Sequence, residues 1–141
     1  MGSIRYHSGY KYQISEHYSV TVSIKPEADI DTDYIDLDSA GNLTVRKGYA
    51  WDGPSGPTID TRNFMRGSLV HDALYQLMRH EHLSKDQWRN EADRELRHMC
   101  REDGMSRLRA WWVYEALKRW GDPAASPESR KPIKTAPRKA S

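Results

Sequence analysis

The chain lacks the features that would tie it to an oxidising compartment or to a bilayer. Cys100 is the sole cysteine among 141 residues, which excludes an internal disulfide and a thiolate metal cluster. Its thiol is expected to act as a small buried apolar group. No apolar run approaches the ~20 residues that a spanning helix requires, so no membrane partner is expected. The opening Met1-Gly2-Ser3-Ile4-Arg5-Tyr6 has no apolar stretch of the signal-peptide kind, and Tyr6 stands where a myristoylation motif wants Ser or Thr. The expectation is a cytosolic site of synthesis. A mean hydropathy of -0.90, with 37% hydrophobic and 30% charged residues, fits a soluble domain with a modest core.

A strong charge of one sign is missing as well. The formal balance is +2, and residues 122–141 hold five Lys or Arg against two acids, a local +3 that leaves residues 1–121 near −1. A nearly neutral body gives no broad electrostatic case for nucleic acid, and only the tail offers weak contact of that kind. With four prolines, residues 122–141 read as a basic, disordered tail on a single domain spanning residues 1–121.

Within that domain the hydrophobic period changes once. Tyr10, Tyr12 and Ile14 alternate with polar residues, as do Tyr18, Val20, Val22 and Ile24, which predicts two antiparallel strands. Tyr34 to Leu37 and Leu43 to Val45, separated by Asp38-Ser39-Ala40-Gly41-Asn42, predict a hairpin. Gly48 to Trp51 predicts a last strand, ended by Asp52-Gly53-Pro54-Ser55-Gly56-Pro57. Neither Gly nor Pro occurs between Ser68 and Asp103, and helical spacing takes over. A first helix is predicted from about Asn63 to about His80. Ser84 and Gln87 form a capping-box pattern for a second, which Gly104 closes. Ser106 caps a third, whose Leu108, Trp111, Trp112, Val113, Leu117 and Trp120 give a wide apolar face. The expected fold is α+β: an N-terminal antiparallel β-meander packed against a C-terminal three-helix bundle.

Two signals carry little chemistry. Glu27, Asp29, Asp31, Asp33, Asp36 and Asp38 begin like a calcium loop, but Tyr34 holds the Gly position and Ala40 the final Glu position. They read as a solvated acidic edge. Arg107, Arg109, Lys118 and Arg119 flank Trp111, Trp112 and Trp120, as a stacking platform for single-stranded nucleic acid would require. Tryptophans at helical spacing are usually core.

The chemically pointed residues are Asp52, Ser55, His71, Asp72 and Asp93. His71 is in register with Leu74, Tyr75 and Met78, and Asp93 with Leu96 and Cys100, so both are expected to face inward. His71 and Asp72 diverge by about 100° and can share a ligand only if it lies between them. His71, Asp72, Asp93 and Asp52 would together suit one divalent metal, Zn, Mn or Mg, with open positions for water and substrate. Such an ion lowers the pKa of bound water, and a spare carboxylate, Asp52 or Asp93, would be the catalytic base. Ser55 would orient substrate or shape the loop, with Tyr75 in support. The alternative is a buried hydrogen-bond network in which Asp52 and Asp93 accept from His71, Tyr75, Arg89 or Arg94.

The run from Asp52 to Pro57 fits D-x-x-S-x-P, and His71-Asp72-Ala73-Leu74-Tyr75 fits HD-x-L-Y. With Ala92-Asp93 and the segment Tyr114 to Gly121 following in order, the chain resembles domain-of-unknown-function family 1353 of tailed phages and prophages. The resemblance spans about residues 10–121. It implies a phage or prophage product, in the host cytoplasm or the virion, with other phage proteins as partners. Asp52, His71, Asp72 and Asp93 fall on the family's recurring positions. The His-Asp pair is also similar to HD-type phosphohydrolases, but those need a further His on an earlier helix, and His7 and His17 lie in predicted strands. Two functions therefore stand side by side: a metal-assisted hydrolase, and a non-catalytic virion or assembly protein in which the cluster is a structural clamp.

Overall fold

The computed structural model describes residues 6–7, 12–51 and 62–120. Over these residues an α+β architecture is present, with short antiparallel strands first and three helices after them. The strands are β1 (Tyr6–His7), β2 (Tyr12–Ile14), β3 (Tyr18–Thr21), β4 (Ile30–Asp31), β5 (Ile35–Leu37), β6 (Asn42–Val45) and β7 (Ala50–Trp51). The helices are α1 (Arg62–Arg79), α2 (Lys85–Glu102) and α3 (Arg107–Trp120).

The strands form two sheets rather than one meander, with orders β1-β2-β7 and β3-β6-β5-β4. The two N-terminal runs that alternate in sequence are therefore not partners of each other. β2 pairs with β7 in the register Tyr12↔Trp51, reinforced by Ile14 N donating to Tyr49 O at 2.9 Å. β3 pairs with β6, Tyr18 opposite Val45 and Val20 opposite Leu43. The expected hairpin is β5–β6. Asp38 closes it by accepting from the backbone of Ala40 and Asn42, and Gly41 supplies the positive φ of 89°. A side chain at Gly41 would also run into the carbonyl of Val22 at 2.4 Å. The acidic edge is solvated as expected, with Glu27, Asp29, Asp31 and Asp33 exposed, although Arg46 bonds to Asp36 and reaches Asp31 at 3.4 Å.

Period-two burial puts Tyr18, Val22, Ile24, Ile35, Leu37, Leu43 and Val45 in the core. Against them lies α1, buried on nearly every side: Met65, Leu69, Val70, Ala73, Leu74, Leu77 and Met78 are all at most 2% exposed. A helix buried on nearly every side belongs between two layers, and here sheet residues and α2 enclose it. Each large buried aliphatic contributes about 2 kcal/mol, against about 1 kcal/mol net for a hydrogen bond. Apolar burial therefore docks α1, and the polar side chains on it set its rotation and register.

Helix ends follow the expected chemistry. Ser84 Oγ accepts from Gln87 N at 3.3 Å, Ser106 Oγ accepts from Arg109 N at 3.2 Å, and Gly104 takes φ 100° after α2. At the end of α1, Glu81 occupies the left-handed region at φ 64°, with Glu81 N bonding to Met78 O and His82 N to Leu77 O. That Schellman-type closure uses a non-glycine residue. α3 departs from its expected wide apolar face. Ala110 and Val113 turn into a second small core with Phe64, Leu96, Cys100 and Met105, whereas Leu108, Trp111 and Trp112 are exposed by 76%, 46% and 42%. No described helix is long and apolar enough to cross a membrane.

Candidate functional site

Four polar side chains on α1 form two stripes, because residues four apart share a face and residues three apart are offset by about 60°. Ser68 and Asp72 form the stripe that meets the last strand. Trp51 Nε1 donates to Ser68 Oγ at 3.0 Å, inside the protein, and Tyr49 Oη donates to Asp72 Oδ2. Tyr49 and Trp51 are two residues apart, so period-two geometry puts both side chains on the face toward the helix.

The second stripe, His71 and Tyr75, meets α2. Their rings lie 4.1 Å apart between centroids, and both donate to one oxygen of Asp93. His71 Nε2 is 2.7 Å from Oδ1 and Tyr75 Oη is 2.6 Å from the same atom. Asp93 is fully buried. Its other oxygen, Oδ2, is buried without a hydrogen-bond partner, with Arg89 Nη1 at 3.9 Å. Burial, and then the charge of Asp93, push the Tyr75 hydroxyl well above its ordinary range, so it remains a donor. A His that gives one nitrogen to a buried carboxylate is fixed in tautomer and ring orientation.

His71 and Asp93 thus meet in the interior, as their registers imply, and Tyr75 joins them. Asp72 is directed to the sheet through Tyr49 instead. Among the described residues no three His, Cys, Asp or Glu side chains converge where one ion could reach them all. Asp52 and Ser55, the loop members of the expected set, lie outside the described residues.

Sequence reading passed over a second buried cluster. Arg66 is 4% exposed and spends its whole fork: Nε donates to Asp103 at 2.9 Å, Nη2 to Glu102 at 2.9 Å and Nη1 to Tyr18 Oη at 2.9 Å. Burial works against its charge, but the bonds to Asp103, Tyr18 and Glu102 outweigh it and hold the guanidinium more firmly protonated than a free one. The same contact holds the Glu102 carboxyl below its ordinary value. The partners lie 36 and 37 residues along the chain, beyond any local pattern. Ser68, Tyr49 and Trp51 were missed too, although the pairing of a 68/72 helix stripe with a 49/51 strand stripe is a signal that could have found them.

Fold and site define a two-sheet, three-helix α+β domain whose central helix carries an HD-x-L-Y segment hydrogen-bonded to both neighbouring layers. Residues 28–117 match the family described as "Protein of unknown function (DUF1353)", and the chain belongs to that family. The match takes in His71, Asp72, Tyr75 and Asp93 and begins after β3. No curated protein and no solved structure matches the chain.

Proposed function

We propose that the HD-x-L-Y segment is a structural clamp, and that the chain is a phage- or prophage-encoded virion or assembly protein with no catalysis of its own. One observation carries this reading: each polar member of the segment is already engaged, His71 and Tyr75 with Asp93 and Asp72 with Tyr49. A fully buried carboxylate accepting two donors across a helix interface is what fixed packing needs. The phage assignment rests on the ordered D-x-x-S-x-P and HD-x-L-Y motifs. On this reading the purified chain is metal-free, and His71→Ala or Asp93→Ala lowers its melting temperature.

A second reading, a divalent-metal-assisted hydrolase, is favoured by the orphan Oδ2 of Asp93, since a buried oxygen without a donor suits a cation. His71 and Asp93, with Asp52, would hold the ion, which would supply a water of lowered pKa, whereas Asp72, bonded to Tyr49, would stand outside the ligand set. Metal analysis of the purified full chain separates the two. Stoichiometric metal that is lost in both alanine variants would overturn the clamp reading. Metal-free protein, destabilised by the same changes, would overturn the hydrolase.

A further inference from the structure

We infer that the outer face of α3 is a stacking platform for single-stranded nucleic acid, a role separate from the His71–Asp93 cluster. The helix is anchored by Ala110 and Val113, which are 0% and 3% exposed. Leu108, Trp111 and Trp112 recur at spacings of three and four on the opposite side, and the two indoles remain 46% and 42% exposed. Large aromatics are enriched in cores and interfaces, and a neighbouring pair on the solvent pole of a short helix is not required by the fold.

Charge selects the occupant. α3 carries Arg107, Arg109, Lys118 and Arg119 against the single acid Glu115. Residues 107–141 hold nine Lys or Arg against three acids, +6, whereas residues 1–106 hold thirteen against seventeen, −4. The net positive charge of the chain therefore falls in residues 107–141, and +3 of it is on α3, the element that carries the exposed rings. A second copy docking here would bring two +3 helices together, which like-charge repulsion opposes. A polyanion is complementary. Exposed indoles add what phosphate contacts alone do not use, a flat surface for bases. Only unpaired bases can occupy it, because duplex bases are stacked within their own helix.

The test is fluorescence anisotropy of a labelled oligothymidylate titrated with the full chain, alongside the same length of duplex and heparin. The single strand should bind more tightly than the duplex. Trp111→Ala and Trp112→Ala should each weaken single-strand binding about tenfold, with the salt dependence retained because the phosphate contacts persist. Trp111→Phe and Trp112→Phe should recover most of the loss. Both side chains are exposed, so the variants should melt within a few degrees of the parent, which circular dichroism verifies. Single-strand affinity unchanged in the double alanine variant, or equal affinity for duplex and heparin, would overturn the platform. So would a dimer that binds no oligonucleotide and is split by the two alanines.

Discussion

His71 Nε2 lies 2.7 Å from Asp93 Oδ1, and that one oxygen joins α1 to α2 by accepting from Tyr75 as well. Removing the carboxylate strands two buried donors, whereas removing the imidazole leaves Asp93 with one donor and Arg89 at 3.9 Å. Asp93→Ala should therefore cost more, about 3–5 kcal/mol as for a broken buried pair, and His71→Ala less. Chemical denaturation of both variants and of the double variant gives the coupling, expected at about 1–3 kcal/mol. Additive effects would mean that the contact is not energetically real.

Arg66 makes the sharper claim about stability, because it joins α1, the end of α2 and β3 at one guanidinium. Arg66→Met should destabilise by about 3–5 kcal/mol by leaving Asp103 and Glu102 without their cation. Arg66→Lys should recover little, since an ammonium cannot serve three partners arranged for a planar fork. Thermal melts of the two variants settle the comparison.

The same cluster sets an acid limb of stability. The contact with Arg66 lowers the folded-state pKa of Glu102 below its ordinary 4.5. A depressed carboxyl contributes stability that is fully present above its unfolded value and lost as pH falls through the folded one. Stability should thus decline as pH drops below about 4.5, and the decline should be shallower in Arg66→Met. Urea midpoints across that range check it, and parallel slopes would remove Glu102 from the account.

Much of this was legible in the residues. The inward turn of His71 and Asp93 follows from their spacing to Leu74, Met78, Leu96 and Cys100, and Ser84, Gly104 and Ser106 mark helix ends by local chemistry. What was not legible depends on long-range pairing. β2 reads as a partner for β3 until Trp51, far along the chain, takes the place opposite Tyr12. Asp72 reads as a neighbour of His71 until Tyr49 draws it to the other layer. The tryptophans of α3 stand at the helical spacing usual for core residues, and only packing shows that the small pair Ala110 and Val113 faces in.

Gly67 records how closely α1 approaches α2. A Cβ there would stand 2.8 Å from Leu96 Cδ1 and 3.3 Å from Cys100 Sγ. Alanine in a helix gains about 1 kcal/mol over glycine, but overpacking a tight crossing costs about 1–3 kcal/mol. The leucine tip can yield while the cysteine sulfur has little room, so Gly67→Ala should be destabilising by about 1 kcal/mol and Gly67→Val by more. A rise in melting temperature for Gly67→Ala would show that the two helices can separate freely.

Cys100 lies in the same crossing, fully buried, and burial, followed by the nearby Asp103 charge, pushes its thiol up to about 12. Only the thiolate attacks disulfide reagents, so at pH 8 the native protein should leave such a reagent essentially unreacted, while denatured chain consumes one equivalent at once. Because reaction then requires opening of the α1–α2 crossing, Gly67→Val should accelerate labelling in proportion to its loss of stability, provided opening is fast relative to reaction. Rapid labelling of the unmodified native chain would contradict the burial of this residue and, with it, the close helix packing on which the His71–Asp93 contact depends.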